Sequence, residues 1–401
     1  MKKYNLVVVG GGISGVAAAV RAAREGMSVL LIEKTGALGG AMSNSLVYPF
    51  MKYSMNGGKT LLSDGIFTEM RKRKEAYEDS SWENFKFVFD DMVTESGVDV
   101  LFHACVFQVQ TKERNLRSVS VATKEGVLSI EADFFADCTG DGELIEMAGC
   151  DYQLGRESDG FCQPMTTCFR VSGVNMEVFH KDHDMLQEKY KQYRAENKIT
   201  NPRENILVFY GFGNGILHFN TTRVIMHNPV DAFEISRAEM IGRKQVYEMF
   251  CFLKENSKAF ENSNIVSIAN HIGVRESRKL KGVHILTAEE LKNCVSFEDA
   301  IAFGNYEVDI HNPTGTGTEL YYFKEGEYYQ IPYRSLLPKE YDNMLVAGRC
   351  LSATHEAHSA VRIMPICACM GEAAGLACAV AYQTRRNTHT VDVKLIQNKL
   401  K

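Results

Sequence analysis

The chain has 401 residues, enough for two or three domains of ordinary size. With 45% hydrophobic and 24% charged residues its composition is globular, which excludes disorder over most of its length. Lys+Arg 45 against Asp+Glu 50 leaves a formal net charge of −5, so no overall positive field is present to hold a nucleic-acid backbone, and no nucleic-acid partner is expected.

The 11 cysteines include no CxxC pair, and Cys367-Ala368-Cys369 is too closely spaced for the usual zinc or iron–sulfur patterns. Reduced thiols, a cytoplasmic location and no metal site are therefore expected. Lys2-Lys3 and the apolar stretch after them resemble a secretory leader, but Gly10, Gly11, Gly12, Ser14 and Gly15 interrupt it and a second apolar strand follows. No apolar run reads as approaching the ~18–20 residues of a membrane span, and no membrane partner is expected.

In chain order, residues 5–9 read as a strand buried on both faces, 13–25 as an alanine-rich helix stopped at Gly26, and 28–32 as a second buried strand. Strand, glycine-rich turn, helix and strand in so short a span make a parallel βαβ unit. Residues 36–59 look irregular, 60–75 and 82–96 helical. Residues 99–110, 116–123 and 127–135 then form a small antiparallel set. Beyond about residue 155 the pattern changes: strands at 165–171, 206–210 and 216–219, a charged helix at 183–197, and a long helix at 231–254. The expected buried positions of the long helix are Ile235, Ala238, Ile241, Val246, Met249, Phe250 and Leu253. A hairpin is expected from 321–323 and 328–333, then a short buried strand at 343–347 and a small-residue helix at 366–382.

Gly10-x-Gly12-x-x-Gly15, followed by Ala19, lies between the first strand and the first helix. Gly10 makes the tight turn, Gly12 lets backbone approach a pyrophosphate, and Gly15 lets helix and strand pack closely. The phosphates then meet free N–H groups at the positive end of the helix. Glu33 ends the second strand, where a carboxylate takes ribose hydroxyls; it favours FAD or NAD over a 2′-phosphorylated dinucleotide.

Leu38-Gly39-Gly40 and the Thr139-Gly140-Asp141 turn, added to the fingerprint, make the sequence resemble FAD-dependent oxidoreductases of the glutathione-reductase-like fold. The branch is that of the FAD-oxidoreductase domain proteins, related to the flavin subunit of heterodisulfide reductase. The matching stretches are 7–19, 31–40, 136–143, 271–278 and 331–377. The resemblance implies an α/β fold with a Rossmann-like FAD-binding domain from residues 1–155 and 331–401, and an inserted α+β substrate or cap domain at 156–330. It implies FAD held by Gly10, Gly12, Ile13, Ser14, Gly15, Glu33, Lys34, Gly39, Gly40, Ala41, Met42 and Ser43. Val106, Thr139, Gly140, Asp141, Gly348, Arg349, Met364, Pro365 and Ile366 are implied further along. Arg349 stands where the broader fold often carries an acidic residue for the ribityl chain, and phosphate contact is its alternative role. Pro365 suits the first turn of a helix whose N-terminus would face the flavin pyrimidine.

No second strand–GxGxxG–helix and no dithiol relay appear, so the flavin itself exchanges electrons with a substrate or a docked carrier. Substrate-facing candidates fall in two segments: His271, Arg275, Glu276 and Arg278, and His355, Glu356, His358 and Arg362. Of these, His355, Arg275 and Arg362 are expected to carry catalysis, the imidazole moving a proton and the guanidiniums clamping a carboxylate or enolate. His218 and His227 read as structural, and Cys367 and Cys369 as buried packing. The expected activity is hydride transfer between FAD and a small polar organic substrate. A flavin monooxygenase and a non-catalytic flavin relay stand as alternatives. The electron donor or acceptor is unassigned, and homo-oligomerisation stays open.

Overall fold

The computed structural model describes residues 2–79 and 81–400. Its first strand, Lys2–Val9, lies parallel to Val29–Ile32 on one side and to the long strand Gly126–Asp137 on the other. Asp99–Leu101 extends the parallel sheet beyond Val29–Ile32, and Met344–Val346 pairs with Phe135, Ala136 and Asp137 on the far side. The first half of the long strand instead pairs antiparallel with Asn115–Thr123, itself paired with Cys105–Lys112. Alternation along the strands divides their side chains between two cores. Leu6, Val8, Leu31, Ala136 and Leu345 face one, and Val7, Val9, Leu30, Ile32, Phe135 and Val346 the other.

Two helices meet at the centre of the first core. Ile13–Arg24 and Met364–Thr384 approach so closely that a Cβ on Gly371 would lie 2.0 Å from the Ser14 carbonyl oxygen, and one on Gly375 2.1 Å from that of Ala18. Met364–Thr384 has a mean hydropathy of 1.6 over its most apolar window and is long and apolar enough to cross a membrane, unlike the expectation from sequence. Burial accounts for that composition, since 89% of the window is enclosed by the protein.

A second, four-stranded antiparallel sheet runs in the order Val208–Phe209, Leu217–Phe219, Phe169–Ser172, Asn264–Ile268. The helices Met176–Ala195 and Ala232–Asn256 cover it around a separate core of Phe169, Phe179, Tyr190, Phe219, Phe252 and Phe260. The stretch from Leu286 to Ile331 belongs elsewhere: Leu286, Leu291, Ile301, Tyr306, Val308, Tyr329 and Ile331 pack in the first core, with the C-terminal helix. The inserted segment thus has no single core of its own; Met165, Val224, Ala238 and Ile272 form a further small cluster within it.

Several local expectations change. The strand expected at 99–110 is broken at His103, whose φ of 52° takes the chain out of extended conformation, so Asp99–Leu101 joins the parallel sheet alone. The helix expected from residue 60 begins at Ile66, where the Ile66 N–H donates to Glu372 at 2.9 Å. The expected 321–333 hairpin does not form; Thr318–Tyr321 pairs with Val308–His311, and Tyr329–Pro332 with Ala300–Gly304. On the long helix, Ala238, Val246, Met249 and Leu253 are buried as expected, together with Gly242, Gln245 and Phe252; Ile235 and Phe250 are half-buried against neighbouring clusters, and Ile241 is exposed.

The helix–helix contact yields a test. Gly375→Val is expected to destabilise the protein by about 1–3 kcal/mol or more through overpacking against Ala18. A urea midpoint equal to that of the unaltered protein would show that the backbone contact is not limiting.

Candidate active site

The glycine turn brings three chain segments together. Gly10, at φ 98°, turns under Cys138 and Thr139, where a Cβ would meet the Cys138 carbonyl oxygen at 2.5 Å. Gly15 is packed still more tightly, its Cβ position 1.9 Å from the Gly10 oxygen. Gly12 differs: only the Gly40 Cα, 3.9 Å away, stands near where its Cβ would be. The helix that follows has no side-chain cap and no acid in its first turn, so its N–H groups face a cavity. Glu33 lines the same wall, its carboxylate accepting from the Gly11 N–H at 2.7 Å and the Thr35 N–H at 2.8 Å.

At the end of the long strand, buried Asp137 accepts from the N–H groups of Thr139, Leu144 and Ile145 at 2.9–3.0 Å and from the Thr139 hydroxyl. These bonds hold the Thr139-Gly140-Asp141 turn against the cavity. Asp141 is ion-paired with Arg349 at 2.9 Å and accepts from Ser277; burial alone would raise its carboxyl, but Arg349 and Lys34 hold it below the usual range. Arg349 is therefore committed to the wall through Asp141 and Ser277. The start of Met364–Thr384 likewise lacks a side-chain cap and acidic residues, and Ile363, Met364 and Cys367 line the cavity.

The cavity encloses about 1140 Å³ and reaches from this turn to Thr166, Arg203, Arg275, Asp309, His311 and Arg362. That exceeds the ~300–1,000 Å³ usual for small-molecule sites. At its far end His311 is bracketed by Arg223 on Nδ1 at 3.1 Å and Asp309 on Nε2 at 3.3 Å. Burial, then Arg275, pushes His311 down to about 3, so the imidazole is neutral at physiological pH. Burial alone would raise Asp309, but His311 and Arg362 hold it well below the usual carboxylate range.

Most of the residues expected at the cofactor line this cavity: Gly10, Gly12, Ile13, Ser14, Glu33, Lys34, Gly39, Gly40, Ala41, Val106, Thr139, Gly140, Asp141, Gly348, Arg349 and Met364. Gly15, Met42, Ser43, Pro365 and Ile366 do not; Met42 and Ile366 point into the core and the Ser43 hydroxyl donates to the Leu38 carbonyl. Arg275 and Arg362 reach the wall, and His271 with them. His355 does not. It is buried, and its Nδ1 lies 2.9 Å from a Glu276 oxygen. Glu276 also takes the Lys279 ammonium and the Gln163 N–H, forming a closed ionic cluster behind the wall. His358 is fully buried with Nε2 on the Arg349 carbonyl, and burial drives its pKa well below the ordinary value. Burial pushes the thiols of Cys367 and Cys369 up to about 12, which keeps both protonated. Sequence reasoning missed Thr166, Arg203, Arg223, Asp309 and His311. They lie in polar loops and short strands without motif spacing, and only chain folding gathers them.

Fold and site together define a dinucleotide-binding protein of the α/β class. The chain belongs to the FAD dependent oxidoreductase family, whose model matches residues 5–400. Its cofactor is FAD, and it is an oxidoreductase. Over 40 residues it is 52% identical to dihydrolipoamide dehydrogenase of Chaetomium thermophilum, a match spanning 10% of this chain and 8% of that protein. Among solved structures, a geranylgeranyl bacteriochlorophyll reductase-like protein from Thermoplasma acidophilum is similar at 13% identity and a TM-score of 0.49, over 100% of this chain and 82% of that one. A p-nitrophenol 4-monooxygenase from Pseudomonas putida is similar at 11% identity and a TM-score of 0.46, over 100% and 84%. The residues present fit FAD: an open Gly12 cradle, two uncapped helix starts and a carboxylate at Glu33 face one cavity.

Because only the Gly40 Cα stands near a Gly12 Cβ and the rest is cavity, Gly12→Val is expected to fold with an unchanged melting temperature in the absence of FAD and to bind FAD at least about tenfold more weakly. Equal flavin content would remove the pyrophosphate from this position. Burial alone would raise Glu276, but the hydrogen bond from His355 and the charge of Lys279 bring it down to about 2. Its contribution to stability is therefore complete above about pH 4.3, its ordinary value, and is lost as pH falls toward about 2. Glu276→Gln, which leaves Lys279 buried and unpaired, is expected to cost about 3–5 kcal/mol at neutral pH. The variant's acid unfolding curve should also be flatter across that window, and a curve parallel to the unaltered protein's would refute the assignment.

Proposed function

We propose that this oxidoreductase passes hydride between FAD and a small polar organic substrate that occupies the arginine-lined end of the cavity. The observation that carries the reading is continuity: one cavity of about 1140 Å³ joins the glycine cradle to Arg275 and Arg362. Bound FAD supplies a reversible two-electron, hydride-accepting centre. Gly12, Ile13 and Ser14 would offer backbone N–H groups to its pyrophosphate, and Glu33 would accept from its ribose. The start of Met364–Thr384 places a partial positive charge at the cavity, which favours negative charge on a group bound against it.

For proton movement the cavity wall offers His271. Its ring has no hydrogen-bond partner among the described residues, whereas both nitrogens of His311 are engaged and His355 lies behind the wall. Histidine is the commonest general acid–base side chain. His271 thus takes the part that the sequence motif suggested for His355.

The test is anaerobic mixing of the FAD-loaded protein with alcohols, hydroxy acids and amines, following loss of flavin absorbance. Rapid bleaching by one substrate class is expected. His271→Gln should keep its FAD and slow bleaching by about 100-fold; an unchanged rate would exclude His271. Bleaching only by NAD(P)H, followed by oxygen incorporation into product, would replace hydride exchange with monooxygenation.

A further inference from the structure

The far end of the cavity carries a charge imbalance. Four guanidiniums gather there, those of Arg203, Arg275 and Arg362 on the wall and that of Arg223 buried behind it, and the other three all repel the charge on Arg275. Two carboxylates answer them. Glu204 is shared by Arg223 at 2.9 Å and Arg203 at 3.9 Å. Asp309 already accepts from the Tyr306 hydroxyl at 3.0 Å and holds His311, and it is 4.0 Å from Arg362. Of the other acids at this end, Glu239 is paired with Arg243 and accepts from the Ile272 N–H, whereas Glu307 has only a long contact to Lys52 at 3.8 Å and its buried Oε2 accepts no hydrogen bond.

Arg275 is the group left over. Its Nη1 donates to the Pro164 carbonyl at 2.7 Å and the Thr166 hydroxyl at 2.5 Å, both uncharged. No carboxylate pairs with it among the described residues, and its Nε and Nη2 have no partner there. Arg362 has only the long contact to Asp309, and its buried Nε is also without a partner. Burial, then the charges of Arg362, Arg203 and Arg223, lowers Arg275 to about 9, so it remains charged at neutral pH. A wall of uncompensated guanidiniums is costly to fold unless a ligand anion completes it.

We infer that Arg275 and Arg362 form the receptor for a carboxylate of the substrate, and that the substrate class is an organic acid. That the acid is the substrate rests on the proposed hydride transfer; the anion receptor stands on the arginine geometry alone. A planar carboxylate matches the free edge of a guanidinium through two parallel hydrogen bonds. The Pro164 and Thr166 contacts fix the other edge, so Arg275 is held in place before a ligand arrives. Arg275 and Arg362 act here as binding residues, and the orientation they impose decides which carbon of the acid faces the cofactor end of the cavity.

The experiment titrates the FAD-loaded protein with succinate and benzoate, with succinamide and benzamide as neutral controls and inorganic phosphate as a second anion. The melting temperature and the visible flavin spectrum are read together. At least one carboxylate is expected to raise the melting temperature and perturb the spectrum saturably, binding at least about tenfold more tightly than its amide. Arg275→Gln should weaken that binding by about 10–100-fold with flavin content unchanged, and Arg275→Lys should restore part of it. Equal binding of acid and amide, no response to either acid, an unaltered Arg275→Gln, or tighter binding of phosphate than of both acids would each overturn the inference. Carboxylate binding without flavin bleaching by any organic acid would leave the receptor standing and refute hydride transfer instead.

Discussion

Everything at the cofactor end depends on one close approach between the two ends of the chain. The helix after the glycine turn and the helix near the C-terminus touch backbone to backbone, Ser14 over Gly371 and Ala18 over Gly375. Side chains of ordinary size would force the axes apart by ångströms, because helix separation follows the residues at the contact. The contact also fixes a direction. Both helices begin at the same cavity without a side-chain cap, so two positive helix ends converge on it. Phosphate recognition and the electrostatics of the far wall of the cofactor site thus share a single packing cause.

The substrate end is built on another principle. Between residues 275 and 280 the chain serves both the cavity and a buried ionic cluster: Arg275 and Arg278 line the cavity, while Glu276 and Lys279 lie behind it, with His355 on the same carboxylate. A buried carboxylate that serves both a lysine and an imidazole is a rigid anchor, and a weak source of net stability. Its service is positional. It ties the helix His355–Val361, which leads directly to Arg362, to the strand that follows Arg275. The two arginines of the anion receptor therefore hang from one cluster, although they are far apart in sequence.

Where sequence and structure part, the reasons are local against long-range. The βαβ unit, its glycine spacing and Glu33 were readable because each residue acts within its own turn or strand. The 321–333 hairpin was misread because Glu325-Gly326 is a good turn, yet Val308–His311 and Ala300–Gly304 offered the two strands better partners. His355 reads as a catalytic imidazole because its neighbours match a motif; the fold sets it off the cavity wall, with Nδ1 2.9 Å from Glu276. His271, in the other matching segment, has the same residue type and a place on the wall.

Local pattern alone was enough for the dinucleotide-binding class, the FAD-type acidic strand end and two of the segments that reach the cavity wall. Spacing sufficed for these, since turn geometry, helix starts and strand ends are properties of a few consecutive residues. Which charged groups stay uncompensated is set by the folded arrangement. Arg203, Arg223, Arg275 and Arg362 come from four separate stretches, and whether a guanidinium is answered by a carboxylate depends on distances of 3–4 Å that no local pattern encodes.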